Sequence, residues 1–136
     1  MNIEPVDYVL KFHKDFYYPI WDQYKITTIR RESKPLNIGD YCFADFIDSD
    51  KVLILEICEH YAIKFKDLSR KEAEREGYNH PDLLKHELRN IYPDIKDDDY
   101  VYIYRFKRHY EHLLIEEYNN GRWIYWRRIP VNNYLY

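Results

Sequence analysis

Glycine is scarce in this chain, with three residues in 136, and methionine occurs once. Against so few glycines stand sixteen tyrosines and three tryptophans, a balance that favours sheets, where rings pack on a pleated surface. Few glycines, a single methionine and 33% charged residues also match the composition of thermophilic proteins. Cysteine is limited to Cys42 and Cys58, both in apolar, strand-like runs, which predicts buried thiols in a reducing cytoplasm rather than a disulfide. No stretch approaches the roughly 18 apolar residues of a membrane span. The first residues, Met1-Asn2-Ile3-Glu4-Pro5, lack the basic-then-apolar pattern of a signal peptide. A cytoplasmic protein without membrane attachment is therefore expected. With 46% hydrophobic residues the chain is globular, long enough for one domain and too short for two ordinary ones. A domain of this size buries enough surface to fold without a metal or a disulfide, and no cofactor is expected.

Charge is unevenly spread. The net charge is −3, yet residues 105–136 carry six Arg or Lys against three acids, leaving +3 there and −6 on the first 104 residues. Arg122, Trp123, Tyr125, Trp126, Arg127 and Arg128 interleave rings with guanidiniums near the end of the chain. Exposed rings there would stack on bases at ~1–3 kcal/mol each, with the arginines on phosphates. Burial of Trp123 and Tyr125 against the rest of the fold is the structural alternative. His109 and His112 stand three apart with Glu116 beyond, but on a strand that spacing does not converge on a metal.

The pattern along the chain predicts a mixed α+β fold. Tyr8–Phe12 reads as a strand, Lys14–Tyr24 as a short helix interrupted near Pro19, and Ile26–Arg30 as a strand rich in β-branched residues. Pro35 and Gly39-Asp40 mark a loop before strands at Tyr41–Phe46 and Val52–Ala62. Ser69-Arg70-Lys71-Glu72 has the form of a capping box, opening a helix that Gly77 ends. Asn79 can cap a second helix, in which Leu84, Leu88 and Ile91 make a buried stripe up to Tyr92-Pro93. A strand over Asp99–Phe106 follows. The chain then predicts a hairpin, His112–Tyr118 and Arg122–Ile129, joined by Asn119-Asn120-Gly121.

Two stretches carry a family resemblance. Lys25-Ile26-Thr27-Thr28-Ile29-Arg30, followed by Gly39-Asp40, resembles the K-T-x-T-I-R … G-D signature of ASCH domains. Phe65-Lys66-Asp67-Leu68-Ser69 and the run on to Gly77-Tyr78 resemble the helix of the same family. Leu83–Tyr92 and Tyr104-Arg105-Phe106 continue the match in order, so the resemblance covers about residues 8–107. It implies a PUA-like β-barrel, curled or closed, with two or three short helices and a cleft. It also implies an ASCH domain over residues 1–107, with residues 108–136 added as a C-terminal hairpin on or beside it. Two residues depart from the pattern: Gln23 replaces a glycine and Ile26 a threonine.

In the small bacterial members that hydrolyse N(4)-acetylcytidine, the active Lys, Thr and Glu fall by resemblance on Lys25, Thr28 and Glu76, and the family's Arg on Arg30. Amide hydrolysis needs a nucleophile, a base for its proton and an acid for the leaving amine, roles assigned to Thr28, Lys25 and Glu76 in turn. Arg30 and Arg31 are expected to bind substrate. A lysine serves as base only where burial or nearby cations disfavour its charged form. At the end of its helix Glu76 meets the negative dipole end, which disfavours its anion by roughly 0.3–1 kcal/mol. On a regular strand Lys25 and Thr28 face opposite sides, so Lys25 must precede the strand or be brought round by a bend. An RNA-binding module or ribonuclease, using the cleft together with the basic aromatic tail, is the alternative that the charge asymmetry favours. The expected partner is thus a nucleoside or single-stranded RNA.

Overall fold

The computed structural model describes residues 2–6, 8–109, 113–119 and 122–129, and the side chains of residues 8–108. Its strands are β1 (Asn2–Val6), β2 (Val9–His13), β3 (Thr27–Arg30), β4 (Tyr41–Ile47), β5 (Val52–Lys64), β6 (Tyr100–His109), β7 (Leu113–Asn119) and β8 (Arg122–Ile129). Its helices are α1 (Tyr17–Trp21), α2 (Arg70–Arg75) and α3 (Pro81–Ile91), with single 3-10 turns at Lys14–Phe16 and Phe65–Asp67.

Five strands form one sheet in the order β2-β4-β5-β6-β3, with β2 parallel to β4 and the other pairs antiparallel. A bulge at Cys58, between Ile57 and Glu59, bends the long β5. The sheet curls into a half-barrel whose two edge strands are β2 and β3. Its concave side holds Leu10, Phe12, Phe46, Leu55, Tyr104 and Phe106. On the other face of β6, Val101 and Ile103 join Ile29, Phe65, Ala73 and Leu84 under α2 and α3. Alternation along β6 therefore buries both of its faces, as a central strand requires. Cys42 is buried and Cys58 half-buried, both as free thiols.

The N-terminal strand was not legible in the sequence. β1 pairs with β8, and β8 with β7, in a separate three-stranded sheet of order β1-β8-β7. The hairpin strands stand where expected, Asn119 opposite Arg122, while Asn120 and Gly121 lie outside the described residues. The expected interruption of the first helix near Pro19 does not occur. Pro19 sits in the first turn of α1, where its missing N–H costs nothing, and the helix runs on to Trp21.

Local chemistry accounts for the helix that matters most. The Ser69 amide and hydroxyl donate to Glu72 Oε1 at 2.9 and 2.7 Å, closing the capping box. Glu72 Oε2 accepts from Tyr61 at 2.9 Å, which ties α2 to β5. Burial pushes the Glu72 carboxyl up, but the bonds from Ser69 and Tyr61 outweigh it and hold it below the usual range. At the other end Gly77, at φ +94, donates to the Glu74 carbonyl and Tyr78 to that of Ala73, a Schellman cap. His80, not Asn79, caps α3, accepting from the Asp82 amide at 3.1 Å. In α3 Leu84 and Leu88 are buried as expected, whereas Ile91 is exposed.

Three measurements check this account. Ser69→Ala is expected to lower stability by ~1 kcal/mol in urea. Gly77→Ala forces a side chain into positive φ against the Tyr24 carbonyl, 3.4 Å away, and is expected to cost more than ~1 kcal/mol. Because the folded Glu72 value is depressed, its contribution is present above the ordinary value of 4.5 and is lost as pH falls through the folded value. Stability should therefore decline below that range, and Glu72→Gln should flatten the decline.

Candidate active site

The cleft of interest opens along the seam between the two edge strands. It has a volume of about 290 Å3, at the small end for ligand pockets. Lys25, Thr28, Arg30 and Glu76 all line it. Its apolar wall comes from α3 through Leu84, Leu88 and Ile91, and rings of Phe12, Phe16, Tyr78 and Tyr92 complete it.

Each polar group reaches the cleft for a local reason. Gln23, at φ +65, turns the chain after α1, and the amides of Tyr24 and Lys25 both donate to the Pro19 carbonyl at 2.9 and 3.0 Å. Strand β3 begins only at Thr27, so Lys25 precedes it and strand alternation does not constrain its direction. The Ile26 amide donates to the Arg75 carbonyl at 2.8 Å, and its own carbonyl accepts from Phe106 at 3.0 Å. That backbone bridge places the Lys25 side chain beside the end of α2. There Lys25 Nζ forms an ion pair with Glu76 Oε2, each residue 7% exposed. The same ammonium lies 4.9 Å from the Phe16 ring centroid.

Thr28 and Arg30 alternate onto the concave face, opposite Tyr104 and Tyr102 of β6. Thr28 is buried, and its hydroxyl oxygen accepts from Arg30 Nε at 2.8 Å. Arg30 then crosses the seam: Nη2 donates to the Lys11 carbonyl of β2 at 2.9 Å, and the guanidinium lies 5.0 Å from the Phe12 centroid. Burial lowers the Arg30 pKa from its ordinary value, and the group nevertheless stays cationic.

The structure thus brings Lys25, Thr28, Glu76 and Arg30 together. Arg31 is elsewhere, holding Asp94 through two bonds of 2.5 and 2.9 Å on the surface. Gly39-Asp40, the second half of the signature, shapes the turn into β4: Gly39, at φ +91, donates to the Ile57 carbonyl, and Asp40 accepts from the Asn37 amide. The side chains of Arg122, Trp123, Tyr125, Trp126, Arg127 and Arg128 lie outside the described residues, as do those of His109 and His112. Sequence reasoning missed Phe12, Phe16, Tyr78 and Tyr92 as cleft walls. Phe16 and Tyr92 had signals, an aromatic run and a helix stop, that read equally well as core. Cys42 offers no alternative nucleophile, since burial pushes its thiol up to about 12. Among the described residues no group of three or more His, Cys, Asp or Glu is placed to hold a metal, and no helix is long and apolar enough to cross a membrane.

Comparison with solved structures places this architecture. An ASCH domain from Lactobacillus crispatus superposes with a TM-score of 0.62 at 15% identity, covering 76% of this chain and 80% of that one. The fold is that of ASCH domains. A protein of Enterococcus faecalis from the DUF984 family gives the same TM-score and identity, covering 76% of each chain. No family model and no curated protein matches the sequence. At such identity the ASCH likeness carries the α+β half-barrel with its short helices, and the chemistry of the cleft stands on the residues described above.

The Lys25–Glu76 pair gives a stability test. Lys25→Met alone leaves a buried carboxylate without its partner and is expected to cost ~3–5 kcal/mol. The double variant Lys25→Met with Glu76→Leu should recover most of that loss in denaturant titrations.

Proposed function

We propose that this chain is an amidohydrolase acting on N(4)-acetylcytidine or a related acylated nucleoside, with Thr28 as nucleophile, Lys25 as base and Glu76 as proton donor. One observation carries the reading: a buried Lys–Glu pair shares a nucleoside-sized cleft with a buried threonine hydroxyl. The ASCH fold agrees with it.

In the reactive form of the pair one proton has passed from Lys25 to Glu76, leaving a neutral amine beside a protonated carboxyl, a base and an acid, with no change in net charge. The Thr28 oxygen attacks the acyl carbonyl while its proton passes to the Lys25 amine. Glu76 then gives its proton to the exocyclic nitrogen, cytidine leaves, and the acyl group remains as an ester on Thr28. Water cleaves that ester: its proton returns to Glu76, and Lys25 returns its own to the Thr28 oxygen. Arg30, donating to the Thr28 oxygen, favours loss of its proton during attack and its departure when the ester is cleaved. The rings and leucines around the cleft give the base flat apolar surfaces.

Incubation of the protein with N(4)-acetylcytidine should release cytidine. Thr28→Ala should reduce the rate by at least ~10^3, and Thr28→Ser should keep part of it. Wild-type protein that binds the nucleoside and releases no cytidine over long incubation would overturn the assignment.

A further inference from the structure

The cleft has a direction. Lys25, Thr28 and Glu76 lie at its buried end, while Lys11 and His13 of β2 and Ile91 of α3 line it as exposed residues and mark its mouth. In an acylated cytidine the exocyclic nitrogen and the sugar leave the base from opposite sides of the ring. An acyl group presented to Thr28 therefore puts the ribose toward the mouth. Glu87 stands on that path. It is half-buried, lies one turn of α3 before Ile91, and lines the cleft within the apolar face made by Leu84, Leu88 and Ile91. Among the described residues Glu87 takes part in no hydrogen bond or ion pair. The residues one turn away, Leu83, Leu84, Asn90 and Ile91, include no cation that could pair with it along the helix. It is also close to Tyr78 of the same cleft: burial first, then the charges of Glu87 and Glu76, push that phenol up, so Tyr78 keeps its proton.

A half-buried carboxylate without a protein partner calls for donors on the ligand, and the sugar of a ribonucleoside carries two adjacent hydroxyls. A carboxylate accepts from both, one at each oxygen, and hydrogen bonds to an ionised acceptor are the stronger kind. We propose that Glu87 binds the 2′ and 3′ hydroxyls of the ribose, so that the cleft selects a ribonucleoside with a free vicinal diol over its deoxy forms. The proposal rests on the nucleoside reading of the cleft and deepens it by naming the sugar. It gives a role to the one carboxylate of the cleft that the hydrolytic steps leave idle.

Calorimetric titration of the full chain with cytidine, 2′-deoxycytidine and 2′,3′-dideoxycytidine tests it. Affinity should fall in two steps as the hydroxyls are removed, by at least about tenfold in total. In Glu87→Ala, a change that a helix tolerates, the total should shrink below about twofold. Affinity of that variant for the dideoxy form should stay within about twofold of wild type, which a merely structural role for Glu87 would not allow. Equal binding of all three ligands to the wild type overturns the proposal and leaves the nucleoside reading standing. A fall confined to one of the two steps overturns the diol contact in the same way. So does a preference that survives in Glu87→Ala, or an equal loss of all three ligands in that variant. If none of the three binds the wild type, the nucleoside reading falls and the ribose contact falls with it.

Discussion

Two charged side chains that are almost out of reach of water hold the site of this protein together. Lys25 comes from the turn before β3 and Glu76 from the end of α2, fifty-one residues later in sequence. Neither would be tolerated there alone, because an unpaired buried charge costs several kcal/mol. The pair therefore requires both segments to be in register. The backbone supplies that register, with Ile26 bonded to Arg75 on one side and to Phe106 on the other. The caps of α2 set where the helix begins and ends, and with them the position of Glu76. Capping box, Schellman glycine and ion pair form one mechanical chain from β5 through α2 to the first residue of the signature.

The second constraint is topological. A five-stranded sheet that curls without closing leaves two edge strands facing one another, and unpaired edges are a liability. Here β2 and β3 are bridged by Arg30, which reaches the Lys11 carbonyl while covering the Phe12 ring. The bridge is a side chain, so the seam stays open enough to be a cleft. The residue that joins the edges also donates to the Thr28 hydroxyl. The bridge across the seam and the hydrogen bond to the candidate nucleophile thus come from the same guanidinium.

Much of this architecture is legible in the amino-acid sequence. The β-branched run at 27–29, the capping box and Gly77 are local signals, each decided by a residue's own backbone preference, and each element stands close to its expected place. The misses share a cause. β1 contains Pro5 and has no alternation to mark it; its partner β8 is more than a hundred residues away, so its pairing is a long-range event. Ile91 continues a helical period yet is exposed, because the cleft opens beside the last turn of α3. Arg31 adjoins Arg30 in sequence, but it lies just past the end of β3, and the two side chains diverge, one to the seam and the other to Asp94.

By itself the sequence determined the α+β class, the boundaries set by caps and turns, and, through the resemblance, which lysine, threonine and glutamate to watch. Those properties are encoded in neighbouring residues and survive without the rest of the chain. Only the tertiary structure decided that Lys25 and Glu76 meet, that aromatic rings wall the cleft, and that Gly39-Asp40 serves a turn rather than the site. It alone put Glu87 into the apolar wall of the cleft. Burial and charge pairing are properties of space, and distances between residues far apart in sequence exist only once the sheet has curled.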